Sequence, residues 1–257
     1  MKILIIGGGS IGGSMALRLC ERGCRVSVFD TCEKILSTLF YSGIETGPLD
    51  LLLPGNEITV IATPMSVELE LLESMEFNGP VMDVASVMRP FREVASRRKI
   101  RFINGHPMAG NEHSGPAGWD RRMFEGRPFF LSPCGMARNS DVSTALKIVN
   151  DLGARPEFIE PAEHDKMLSR ISQGLYYLSR VAMKLGKNHE KYAGPGFAST
   201  TRLGRQNREM VLDMARYNGD NIAEALEKIE EYLHKVKEAI QSKDMMELVE
   251  LIDLEEI

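Results

Sequence analysis

Hydrophobic positions fall into two regimes along the chain. Over the first 160 residues, short apolar runs alternate with segments in which apolar side chains return every three or four positions. Runs at 2–6, 25–30, 57–62, 80–84, 101–104 and 128–131 read as strands, and 10–23, 65–75 and 89–98 as helices. Such alternation builds βαβ units on a parallel sheet. Residues 42–54, punctuated by Gly and Pro, leave open a shortened third unit. Beyond Glu160 the period changes. Pro161 suits the first turn of a helix, where its missing N–H is no loss. Leu168, Ile171, Leu175, Leu178, Ala182 and Leu185 then form one helical stripe. Ile222, Leu226, Ile229, Leu233, Val236 and Ile240 form a heptad-like seam, and 245–252 a last short helix. The expectation is an α/β domain over residues 1–160 and an all-α domain over 161–257. Core packing explains the two stripes plainly; a homodimer through the helical domain explains them more specifically.

Charge narrows the function classes. The 257 residues carry 31 Lys and Arg against 36 Asp and Glu, a formal net charge of −5. That balance speaks against nucleic acid as a partner, which calls for a basic face. The 43% hydrophobic content excludes a mostly disordered chain. No run reaches about 18 apolar residues, so no transmembrane helix is expected, and the apolar run 3–6 is too short for a signal peptide. Cys20, Cys24, Cys32 and Cys134 make no C-x-x-C pair, and no His/Cys cluster suggests a metal. They read as reduced thiols of a cytoplasmic protein.

Gly7-Gly8-Gly9-Ser10-Ile11-Gly12 fits G-x-G-x-x-G between a strand and a helix, the context in which that pattern binds a dinucleotide. Gly7 permits the tight turn, Gly9 lets a pyrophosphate approach, Gly12 brings helix and strand together, and the helix N-terminus offers free N–H groups. Asp30 ends the second strand, where a carboxylate can take both ribose hydroxyls and repel a 2′-phosphate. NAD is therefore favoured over NADP, although the nearby Arg25 and Lys34 leave NADP open. The first domain is thus of Rossmann type. Thr63 and Pro64 end one later strand and face the same cofactor; Asp83-Val84-Ala85-Ser86-Val87 ends the next. His106 opens the Gly-rich loop 105–115, directly after a strand.

In this order and content the chain resembles the prephenate/arogenate dehydrogenase family of tyrosine biosynthesis. The resemblance runs from Met1 to about Asn218: GGGSIGG, IATP, DVASV, GHPMAGNEHSG, then Trp119, Phe124 and Gly126, Glu163-His164-Asp165 and GPGFASTTRLG. The HPMAG-x-E-x-SG stretch is its most specific element. It implies a Rossmann domain followed by an all-α dimerisation domain. It also implies NAD-dependent oxidative decarboxylation of prephenate to 4-hydroxyphenylpyruvate. By resemblance, His106 is the base on the ring hydroxyl, and Ser86 shares that hydroxyl or orients the histidine. Asn111 borders the substrate, and Arg202 pairs with a carboxylate; Arg205 and Arg208 are further candidates. No ACT regulatory domain is expected, and a fusion to a module such as chorismate mutase stays open.

Three departures bear on the substrate. Ser172-Gln173-Gly174-Leu175-Tyr176 stands where the family carries Ser-His-x-x-His, Met88 where it often has Lys, and Ala198 where it often has Arg. Ser172, Gln173 and Tyr176 are then the expected substrate contacts, with fewer cations around a dianion. An arogenate-preferring enzyme and a non-catalytic NAD-binding sensor are the alternatives. A β-hydroxyacid dehydrogenase with Lys166 as its catalytic lysine would leave the HPMAG loop without a role.

Overall fold

The structure is a computed structural model describing residues 1–111 and 113–253. The first part runs β1 (Lys2–Ile6), α1 (Ser10–Glu21), β2 (Arg25–Phe29), α2 (Glu33–Tyr41), β3 (Glu45–Thr46), α3 (Leu49–Leu52), β4 (Ile58–Ile61), α4 (Met65–Ser74), β5 (Val81–Asp83), α5 (Arg89–Arg97), β6 (Phe102–Pro107), β7 (Pro128–Pro133), α6 (Asn139–Leu152) and β8 (Arg155–Phe158). The second runs α7 (Pro161–Leu168), a π turn (Ser169–Gln173), α8 (Gly174–Gly186), α9 (Pro195–Thr201), α10 (Arg208–Ser242) and α11 (Met245–Ile252). Residues 42–54 do hold a third, shortened unit, β3 with α3. The helices α2 and α6 and the strand β8 are additions to the sequence reading.

The eight strands lie in the order β3-β2-β1-β4-β5-β6-β7-β8. The expected parallel sheet needs one correction: β6 and β7 pair antiparallel, with His106 opposite Phe130. A parallel neighbour requires a crossover connection, usually a helix. Among the described residues between these strands, a 3₁₀ turn at Gly115–Gly118 is the one helical segment, so the chain turns back without a crossover. The helix α6 supplies a crossover, and β8 pairs with β7 in parallel.

The stripe read as one helix is also corrected, because the π turn divides it into α7 and α8. A side chain on Gly174 would crowd the Ser169 carbonyl at 2.8 Å and Ala225 at 3.5 Å, so α8 and α10 approach closely there. The helix α10 bends at Asn218, which has φ −133° and ψ 23°. Asn218 donates to the Asp165 carbonyl at 2.8 Å and to Gln173 Oε1 at 2.7 Å. These bonds draw the bent residue toward the π turn, an identifiable cause for the bend.

The apolar core crosses between the two parts. Ile61, Met65, Val87 and Phe91 share one buried cluster with Tyr176, Val211, Met214 and Ile222. Core packing covers only the beginnings of the two stripes: Leu168 and Ile222 are buried, whereas Leu185 is 80% exposed and Ile240 56%. Among the described residues no helix is long and apolar enough to cross a membrane, and no acidic, His or Cys group is arranged to hold a metal.

Candidate active site

The strand order reverses between β1 and β4, which defines a crevice beyond their carboxyl ends. Gly7 has φ +101°, and a side chain there would strike the Ala62 carbonyl at 2.5 Å; one on Gly12 would strike the Gly7 carbonyl. Those two glycines serve the fold. Nothing lies within 4 Å of a side chain built on Gly9, which caps α1 without a side-chain bond and leaves first-turn N–H groups for an anion. Ser10 donates to the Gly118 carbonyl at 3.1 Å, and Ile11 packs against the core. Trp119 Nε1 donates to the Gly8 and Gly9 carbonyls at 3.1 and 3.0 Å, and its ring fills the space beside Gly13.

Asp30 stands one residue beyond β2. Its carboxylate accepts the Gly8 and Cys32 N–H groups, each at 2.7 Å, which fixes its orientation and leaves lone pairs for a ribose. At the end of β4, the Thr63 hydroxyl is buried without a hydrogen-bond partner among the described residues, and Pro64 caps α4. An open-faced glycine, a helix N-terminus, an unpartnered buried hydroxyl and a strand-end carboxylate form a set that fits a dinucleotide.

Beside this crevice β6 delivers His106. Its Nδ1 lies 2.9 Å from Nε2 of His164, whose Nδ1 lies 2.8 Å from Asp165 Oδ1. His164 and Asp165 are wholly buried, with 0% exposure each. Phe130 packs edge-on to His164, with ring centroids 5.4 Å apart. Asp165 also accepts the N–H groups of Met88 at 2.8 Å and Arg89 at 3.0 Å. Burial, reinforced by the adjacent His164 ring, pushes the His106 imidazole down to about 3. It is therefore neutral at physiological pH, as an acceptor must be.

The other expected site residues fall into three groups. Ser86 borders the site, but its hydroxyl faces Met65 Sδ at 3.9 Å, and His164 is the group bonded to the histidine. Gln173 is a tether: it donates to the Ser86 carbonyl at 2.9 Å and accepts from Asn218. Ser172 is half-buried, and Tyr176 is buried edge-on to Tyr177. Asn111 ties its own loop together through the Gly118 carbonyl at 2.9 Å and the His113 N–H at 3.0 Å. Its neighbour Glu112, part of the HPMAG motif, lies outside the described residues. Arg202 is exposed on the segment joining α9 to α10, with no contact to the His106 group among the described residues. Lys166 turns outward to Glu224 at 3.4 Å, which leaves the lysine-based alternative without the lysine it calls for.

His164 and Asp165 enter the sequence reading only as part of the Glu163-His164-Asp165 motif, with no role assigned, and the structure brings them to His106. The local signal is a run of four titratable residues, Glu163-His164-Asp165-Lys166, of which the structure buries the middle two.

A dinucleotide crevice flanked by a neutral, histidine-backed imidazole beneath a helical second part defines a two-domain dehydrogenase. The nucleotide-binding domain model of prephenate dehydrogenase matches residues 45–158, and its dimerization domain model matches residues 160–254. The chain belongs to the prephenate dehydrogenase family. It is 26% identical to the prephenate dehydrogenase of Bacillus subtilis (strain 168), over 94% of this chain and 71% of the relative. The crystal structure of Synechocystis arogenate dehydrogenase superposes with a TM-score of 0.80 at 26% identity, covering 98% and 96% of the two chains. The prephenate dehydrogenase of Aquifex aeolicus, in complex with hydroxyphenyl propionate and NAD+, superposes with a TM-score of 0.88 at 24% identity, covering 97% and 94%. The glycine loop lies before residue 45, so its assignment stands on its geometry and on the full-length likeness.

Proposed function

We propose that this protein catalyses the NAD-dependent oxidative decarboxylation of prephenate to 4-hydroxyphenylpyruvate in tyrosine biosynthesis. The observation that carries the reading is His106, neutral and held 2.9 Å from His164 beside the dinucleotide crevice. The chemistry NAD supplies when bound is acceptance of a hydride from the ring carbinol carbon. Gly7, Gly9, Gly12, Ser10 and Ile11 shape the pyrophosphate loop, Asp30 takes the ribose, and Thr63 and Pro64 line the cofactor's far side.

His106 takes the hydroxyl proton as the carbonyl forms. When the ring carboxylate leaves as carbon dioxide, its bonding electrons aromatise the ring, and the oxygen recovers the proton as a phenol. No proton needs to leave the site, which suits a base backed by buried groups. Ser86 shares the hydroxyl, Asn111 borders the ring, and Ser172 and Tyr176 contact the side chain. Arg202 pairs with a carboxylate. Residues 1–160 act as the nucleotide domain and 161–257 as the substrate and dimerisation domain of a cytoplasmic homodimer, joined through the exposed stripe.

The test is nicotinamide absorbance with prephenate and arogenate, each with NAD and NADP. Rapid reduction with prephenate and NAD is expected. The shortage of cations, with Met88 and Ala198 at positions often basic, favours arogenate as the second reading, since its ammonium lowers the net negative charge. Reduction with arogenate alone would move the substrate and keep the mechanism. Silence in all four mixtures, with NAD still bound, would favour a sensor.

A further inference from the structure

We infer that Asp165, acting through His164, sets the tautomer of His106 and so makes its outward nitrogen the base. This deepens the reading of His106 as the base and rests on it. The chain of reasoning starts from donors whose identity is fixed. Backbone N–H groups of Met88 and Arg89 can only donate, and they occupy Oδ1 and Oδ2 of Asp165 respectively. Arg89 Nε adds a positive charge at 3.7 Å. Asp165 is therefore a carboxylate and accepts from its third partner too.

That partner is His164 Nδ1 at 2.8 Å, which must carry hydrogen. We take His164 as the neutral imidazole, which has one N–H, so its Nε2 presents a lone pair; an imidazolium at His164 would instead donate to His106 and is the outcome the NMR test distinguishes. His106 Nδ1, 2.9 Å away, must then donate to it. The remaining nitrogen of His106, Nε2, is left with its lone pair for the substrate hydroxyl. Reversing the polarity at Asp165 would reverse every link and put a hydrogen on Nε2, where a base cannot use it. His164 and Asp165 are positioning residues, and their wholly buried placement keeps water from scrambling the order.

The direct test is ¹⁵N NMR of ring nitrogens in wild-type protein labelled at its five histidines, with His106→Asn assigning the signal. A hydrogen on Nδ1 of both His106 and His164 is expected; a hydrogen on His106 Nε2 would overturn the inference. This readout needs no turnover, so it separates failure of the tautomer argument from failure of the proposed reaction. Kinetics gives the second test. Asp165→Leu, which leaves His164 Nδ1 without an acceptor, should lower kcat by roughly 10²-fold, less than loss of the base itself, with KM for NAD unchanged. Asp165→Asn can keep a carbonyl at the Oδ1 position that takes both the Met88 N–H and His164 Nδ1, and should lose less. His164→Gln, whose carbonyl can accept from His106 Nδ1, should recover most of the rate lost in His164→Leu. Equal rates in the His164→Gln and His164→Leu variants, or a normal kcat in Asp165→Leu, would refute it.

Discussion

The two walls of the crevice are built by different means. The cofactor wall is mostly backbone: two glycines that admit no side chain, one that faces open space, and a helix terminus. Its parts lie within 30 residues of one another, apart from Thr63, Pro64 and the Trp119 support. The substrate wall is mostly side chains brought from afar. His106 and His164 are 58 positions apart, and Gln173 reaches Ser86 across 87. A backbone wall tolerates sequence change wherever the main chain can keep its path. A side-chain wall depends on every member, and on the packing of the two parts against each other.

If that contrast is right, the largest single loss comes from the substrate wall. His106→Asn removes the base and should lower kcat by roughly 10²–10⁴-fold, while isothermal titration shows NAD affinity unchanged. A normal rate in this variant would remove His106 from the mechanism. Next is Arg202→Leu, expected to raise KM for prephenate by roughly 10- to 150-fold, the equivalent of about 1.5–3 kcal/mol for a charge-assisted bond. Unchanged KM would assign the substrate carboxylate to another cation, with Arg205 and Arg208 the nearest in sequence.

The cofactor wall offers a sharper contrast within itself. Gly9→Ala places its methyl in open space, so thermal stability should hold while NAD affinity falls by roughly 10-fold or more, at about 1.4 kcal/mol per tenfold. Gly12→Ala meets the Gly7 carbonyl and should lose stability as well. Equal behaviour of the two variants would contradict the division between a glycine for the fold and a glycine for the ligand.

The same contrast explains what could be read along the chain. The glycine loop, Asp30 and most strands of the first part follow short-range patterns, because each strand of a buried sheet needs its own apolar run. The long seam and the final helix are legible for the corresponding reason in helices. The antiparallel turn of β7 is less so, since it depends on whether residues 108–127 form a crossover helix. The π turn escapes periodicity because Leu168 and Leu175 keep helical spacing while the backbone between them does not. The His106–His164–Asp165 chain is invisible to any local pattern: it exists only once β6 and α7 lie side by side.

Beneath the substrate wall lies a pair that tests its packing more gently. Glu68 on α4 and Asp83 at the end of β5 are both buried, at 1% and 0% exposure. Asp83 accepts the Gly105 N–H and the Asn104 amide, the latter at 3.2 Å, whereas Glu68 Oε1 has no hydrogen-bond partner among the described residues. Burial pushes the Asp83 carboxyl up to about 8, and burial together with the Asp83 charge raises Glu68 well above its ordinary range. A carboxyl raised in the folded state favours folding while it keeps its proton. Its contribution is full below about pH 4 and is lost as pH rises through about 8. Glu68→Gln keeps the shape and a donor toward Asp83 but removes one titrating group. Urea midpoints should therefore fall less steeply for the variant between pH 5 and 9, leaving it about 1–2 kcal/mol better off relative to wild type at the alkaline end. Parallel curves would mean that the Glu68 carboxyl does not carry a raised titration in the folded protein, and that burial beside Asp83 costs it less than the structure implies.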